Sequence, residues 1–179
     1  AEPRRADLFD AASVAKAAEG CDVVMHLATA IPKLPKGGDW KFNDRIRIEG
    51  TKNLLAAAAG AKLYVQESIA LVYGSRPGLV RENAPVGKPH KWVRSAVEME
   101  RLVAASSRPT AVLRCGLFYA ADDLRTKWMI ERTRARKLPY IGDGDNVTTY
   151  VHTDDAAAAF AAVVEAGKAG TWNVVDDRP

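Results

Sequence analysis

Three side chains able to carry protons stand within one seven-residue stretch, Glu67, Ser68 and Tyr73 of "ESIALVY". They follow the apolar run "KLYVQ", which places Glu67 and Ser68 at the carboxyl end of a predicted strand. A carboxylate partly withdrawn from water there has its pKa raised and can serve as acid or base near neutrality. The competing reading is structural, with Glu67 capping nearby backbone or pairing with Arg94 or Arg114. Tyr73 has the same two readings, a reactive phenol or a packed side chain. His26, inside "DVVMHLA", reads as a packed, hydrogen-bonded histidine, and His152, beside Asp154 and Asp155, as a helix cap. His90 lies in a loop. No His, Asp or Glu group has the spacing of metal ligands, so no metal is expected.

A second stretch, "KWVRSAVEME" (91–100), puts Ser95 and Glu100 on one helix with Trp92 at its start. An indole can donate a hydrogen bond but moves no proton near pH 7. Trp92 therefore reads either as a platform for a flat ligand ring or as an anchor for the helix.

The elements that must position these residues alternate along the chain. Near-continuous apolar runs at 22–28, 62–68, 110–116 and 171–176 read as strands covered on both faces, the pattern of a parallel sheet. Helical periodicities separate them: 12–21, with Ser13 at its start and Gly20 at its end; 45–60, with Ile46, Thr51, Leu54, Leu55 and Ala58 near one face; 95–106, with Val97, Leu102 and Val103; 125–137; and 152–167. "LPYIG" (138–142) reads as a short further strand. Strand and helix in this alternation predict an α/β fold, a doubly wound parallel sheet with right-handed crossovers. Ligands in such sheets sit beyond the carboxyl ends of the strands, which singles out residues 28–30, 67–73 and 115–119.

Composition sets the outer limits. Hydrophobic residues make up 47% and charged residues 27% of the 179, the balance of one ordinary soluble domain. No apolar run approaches the roughly 20 residues that span a bilayer, and "AEPRRADLFD" has no secretory h-region. A cytoplasmic protein is expected. The formal charge of +4 is dispersed. Its densest runs, 125–137 and 45–47, read first as solvated faces and only second as patches for phosphates or nucleic acid. Cys21 and Cys115, isolated and without a C-x-x-C spacing, read as free thiols.

Six segments in order, "GCDVVMHLATA", "GTKNLLAAA", "ESIALVYG", "TAVLRCGLFYAADD", "YVHTDDAAAAF" and "TWNVVDD", resemble the extended short-chain dehydrogenases/reductases, in particular their NAD(P)-dependent nucleotide-sugar epimerase/dehydratase group. The resemblance covers essentially the whole chain and implies a Rossmann-like fold. It also implies NAD or NADP as cofactor, a small-molecule substrate such as a nucleotide-sugar or another carbonyl or hydroxy compound, and a homodimer formed through helices 45–59 and 95–106. By the same resemblance, cofactor contacts fall on Asp7, Leu8, Leu27, Ala28, Thr29, Ala30, Ser68, Cys115, Gly116 and Leu117.

The departures are as informative. These proteins hold the cofactor pyrophosphate on a strand–GxxGxxG–helix unit, and no such spacing occurs in residues 1–179. The chain is thus expected to be a partial Rossmann-like domain from a longer protein, most of its C-terminal substrate region lying beyond it. On its own it is expected to bind NAD(P) weakly or not at all. The family's catalytic helix reads Tyr-x-x-Ser-Lys-x-x-x-Glu; with Ser95 and Glu100 aligned, Trp92 stands at the tyrosine and Ala96 at the lysine. Ile69 occupies the usual catalytic Ser/Thr position, and Arg47 replaces the asparagine three residues before Gly50-Thr51. The tyrosine moves the proton and the lysine lowers its pKa; neither indole nor methyl can do either. Two functions are expected on this basis: an atypical NAD(P)-dependent oxidoreductase with a nonstandard acid/base, Glu67 foremost and Ser68 and Tyr73 behind it, or a non-catalytic nucleotide-binding sensor or protein-interaction module.

Overall fold

The computed structural model describes residues 2–32, 39–138 and 145–178. Four strands, β1 (Val23–His26), β2 (Leu63–Ile69), β3 (Thr110–Cys115) and β6 (Gly170–Val174), form one parallel sheet in the order β1-β2-β3-β6. The register pairs Val23 with Leu63, Glu67 with Leu113 and Cys115 with Val174. These are the four strands expected from the apolar runs, each with slightly shifted ends.

Alternation along β2 builds two cores. Leu63 and Val65, with Ala111, Leu113 and Cys115 of β3, pack under α6 (Thr153–Ala166) against Ala156 and Phe160. Tyr64 and Val112 face the other way, meeting Val24, Ala58 and Val103 beneath α3 (Thr51–Ala57) and α4 (Arg94–Ala104). A third cluster, Val72, Val93, Ala96 and Met99, seats the start of α4 on the turn after β2. Each large apolar side chain removed from water on these faces stabilises the fold by about 1.5–3 kcal/mol. Helices thus cover both faces, as a doubly wound sheet requires.

Several local expectations change. The first helix, α1 (Ala11–Ala18), is capped by Asp10, whose carboxylate accepts from the backbone N–H groups of Ala12 and Ser13; the Ser13 hydroxyl instead accepts from the Asp7 N–H at 3.0 Å. The helix expected over 45–60 begins earlier and is not uniform. It runs as α2 (Trp40–Arg45), a π turn (Ile46–Gly50), α3 and a 3₁₀ turn (Ala58–Gly60). Two further strands, β4 (Leu117–Tyr119) and β5 (Tyr150–His152), pair in parallel as a separate ribbon. They are too short for a periodic signal. Gly116 permits this arrangement, because a Cβ there would come within 2.7 Å of the Tyr150 carbonyl carbon. The basic segment forms α5 (Leu124–Arg134), in which no residue is fully buried, in keeping with a solvated face. The strand expected at 138–142 lies, apart from Leu138, outside the described residues. Among the described residues no helix is long and apolar enough to cross a membrane, and no group of three metal-ligating side chains occurs.

Candidate functional site

Glu67 and Ser68 are sequence neighbours sent to opposite faces of the sheet by the pleat of β2. Glu67, on the Leu63–Val65 side, is partly buried, and burial pushes its carboxyl up to about 7 against the opposing pull of the Arg47 guanidinium. The cation that acts on it is therefore Arg47, not Arg94 or Arg114. Cys115, one strand over, is buried, and burial followed by the charge of Glu67 pushes its thiol up to about 12. A thiol held neutral in this way is inert near pH 7.

Arg47 is placed by the π turn. Its Nη1 donates to the Trp92 carbonyl and to the Ser95 hydroxyl, each at 3.2 Å, which ties the π turn to the start of α4. Burial lowers its pKa, while the charges of Glu67 and Asp44 raise it. From the sequence Arg47 reads only as a replacement for asparagine. An arginine where the pattern expects an amide, in a chain that has also lost its catalytic lysine, was the available signal.

Ser68 and Tyr73 stand apart from this pair. The Ser68 hydroxyl donates to Glu100 Oε1 at 2.6 Å, and Glu100 is locked to Arg114 by a 2.6 Å ion pair with side chains 10% and 9% exposed. Arg114 Nη1 also donates to the Tyr73 hydroxyl at 2.8 Å, and that hydroxyl donates to Asn173 Oδ1 at 2.7 Å. Asn173 closes the network by donating its backbone N–H to Glu82 and its side-chain amide to the Val80 carbonyl. Every member is satisfied, which is the condition under which a buried polar network rigidifies its surroundings. It ties the 74–90 loop to β2, β3 and β6.

The remaining residues singled out from the sequence fall as follows. His26 is buried and shares its Nδ1 with Thr51 and Gln66, and burial lowers its pKa. His152 is the N-cap of α6, its Nδ1 accepting from the Asp154 N–H. Leu117 lies in β4. Trp92, at the turn before α4, is 47% exposed and stacked on Trp40. Ala96 is fully buried under the turn after β2.

Asp7 and Leu8 are brought to the end of β1 through α3. Asn53 donates to the Leu8 carbonyl at 2.9 Å, and Leu8 packs so closely on Gly50 that a Cβ there would approach its Cδ2 to 2.7 Å. His26, the last residue of β1, bonds the adjoining Thr51. Beyond it Leu27 is 50% exposed and Ala28 and Thr29 are exposed.

The comparisons agree with this architecture. The model of the NAD-dependent epimerase/dehydratase family matches residues 2–175. A 3-diazoavenalumate denitrifying reductase from a Streptomyces species is 37% identical over 97% of this chain. The dTDP-glucose 4,6-dehydratase of Streptomyces griseus is 29% identical over 93%. This chain spans 62% and 54% of those two proteins. Among solved structures, a double mutant of the dTDP-glucose 4,6-dehydratase DesIV from Streptomyces venezuelae, with NAD bound, superimposes with a TM-score of 0.78 at 26% identity, covering 94% of this chain and 56% of that one. With its parallel sheet, its order of motifs and a family match over nearly its full length, the chain belongs to the NAD-dependent epimerase/dehydratase family.

Proposed function

We propose that the complete protein is an NAD(P)-dependent reductase in which Glu67 and Arg47 take over the work of the missing tyrosine and lysine. The observation that carries this reading is the placement of Glu67: a carboxyl held near neutrality at a strand's carboxyl end, with one arginine acting on it. Relatives named as reductases and dehydratases favour an enzyme over a non-catalytic module.

The reduced nicotinamide, when bound, supplies a hydride. Asp7, Leu8 and Leu27–Ala30 would hold the adenosine half of the cofactor. On a carbonyl substrate the new C–H bond sends the C=O π pair to oxygen, and Glu67 in its acid form donates the proton that neutralises it. The carboxylate left behind faces Arg47, whose charge steadies it until a proton returns from solvent. A pKa near the working pH favours both halves of this cycle.

A second reading rests on the same missing phenol together with the diazo relative. A diazonium carbon that accepts hydride expels dinitrogen and generates no oxyanion, so no proton donor is required. Glu67 would then serve as a counter-charge to the substrate.

The test is NAD(P)H oxidation by the complete protein against a panel of ketones and of arenediazonium salts, with and without Glu67→Gln. Turnover of a ketone that falls about a hundredfold in the variant supports the acid role. Diazonium reduction that survives the substitution favours the second reading. Cofactor binding without oxidation on either panel would sink both.

A further inference from the structure

Asn43 belongs to α2 and is fully buried behind the residues that follow β1. Its Oδ1 accepts from the Thr29 hydroxyl at 2.9 Å and from the Ala30 N–H at 3.0 Å. A backbone N–H can only donate, so the Ala30 bond fixes which end of the amide faces that segment. The other end, Nδ2, is buried with no hydrogen-bond partner. Leaving such a donor unpaired costs about as much as one of the two bonds returns. An aspartate would make both bonds and leave no orphan, but its charge would be wholly buried, which costs more. A leucine would remove the orphan and leave the Ala30 N–H without its acceptor. The amide is accounted for by what its oxygen holds.

What it holds is the segment just beyond the carboxyl end of β1, where Thr29 is exposed. The two bonds also set the polarity of that segment. The Thr29 hydroxyl proton and the Ala30 N–H are both directed at Asn43, so neither is available to a phosphate oxygen. The Thr29 oxygen keeps a lone pair, and toward a ligand it acts as an acceptor. A sugar hydroxyl can donate to it; an ionised phosphate cannot.

We infer that Asn43 is a positioning residue for the dinucleotide: it pins Thr29 and Ala30 and leaves the Thr29 oxygen as acceptor for a ribose hydroxyl. The role rests on the placement of the adenosine half along Leu27–Ala30 in the reductase reading. Asn43 itself touches no ligand, because the segment it holds lies between.

Calorimetric titration of the complete protein with NADH, AMP and nicotinamide mononucleotide tests it, the last two standing for the halves of the cofactor. Asn43→Leu is expected to weaken NADH and AMP about tenfold and to leave nicotinamide mononucleotide unchanged, a split that a general loss of structure does not produce. Thr29→Val removes one of the two bonds from the exposed side and is expected to weaken AMP about threefold, with Thr29→Ser restoring it. That pair carries the test should Asn43→Leu fail to fold by circular dichroism. The 2′,3′-dideoxy analogue of AMP, which lacks the hydroxyl donors, should bind more weakly than AMP and be indifferent to Thr29→Val. Equal losses on both halves, or AMP binding unmoved by Asn43→Leu and Thr29→Val alike, would overturn the role of Asn43. Loss confined to nicotinamide mononucleotide would keep Asn43 as the holder of this segment and overturn only the adenosine placement. Absence of binding by all three ligands would sink both.

Discussion

Residues 67 and 68 differ by one step along β2, and the two sides of the sheet treat them in opposite ways. On the Ser68 side a chain of bonds closes around Arg114: hydroxyl to carboxylate, carboxylate to guanidinium, guanidinium to phenol, phenol to amide. On the Glu67 side one carboxyl is left near neutrality, opposed by one arginine whose bonds run to a turn and a serine. The first arrangement resists titration and fixes geometry. The second stores the capacity to change charge, which a structural network cannot afford to do. Buried charges that are fully paired hold structure; one that is half-compensated is available for chemistry.

The largest expected effect breaks the closed side. Arg114→Met leaves Glu100 buried without its cation and should destabilise the protein by about 3–5 kcal/mol in urea denaturation. Replacing both partners, Glu100→Leu with Arg114→Met, should recover most of that loss. A single-variant cost under about 1 kcal/mol would mean that the ion pair does not hold this side.

On the open side, Glu67→Gln should lower turnover of a carbonyl substrate about a hundredfold and yet stabilise the fold. The folded-state pKa of about 7 lies above the ordinary 4.5. Between those values the folded state keeps a proton that the unfolded chain has lost, so stability is fullest below 4.5 and declines as pH rises through 7. By about pH 8 the ionised group costs on the order of 3 kcal/mol. Glutamine has no such slope, so the variant should exceed the parent in stability at pH 8 and differ little at pH 5. Denaturation at the two pH values decides it; parallel curves would deny Glu67 its raised pKa.

Arg47→Gln sharpens the same contrast. It removes the charge that pulls the Glu67 pKa down, so the alkaline limb of the pH–rate profile should move to higher pH. An unmoved limb would dissociate the pair. Trp92→Phe keeps an aromatic surface and should change turnover by no more than about tenfold, or roughly 1.4 kcal/mol. Ser68→Ala is the smallest change, about 1 kcal/mol of stability from one lost hydrogen bond, with turnover near that of the parent. A large loss of turnover in that variant would return Ser68 to the chemistry.

The four strands of the sheet were legible because a strand buried on both faces writes its position locally, as a short apolar run, wherever its neighbours lie. The opposite facing of Glu67 and Ser68 was legible for the same reason, since the pleat is a property of consecutive residues. The loss of the tyrosine and lysine was legible from "KWVRSAVEME" once the family resemblance supplied the pattern to set it against. The break of the helix at 46–50 was not, nor was the ribbon of β4 and β5, whose three-residue strands carry no period. The assignment of arginines to carboxylates was decided only in three dimensions. Arg47 reaches Ser95 across 48 residues, and Tyr73 reaches Asn173 across 100. Local pattern determines which residues a strand offers to each face; which charge meets which depends on distant elements converging, and no spacing along the chain records that.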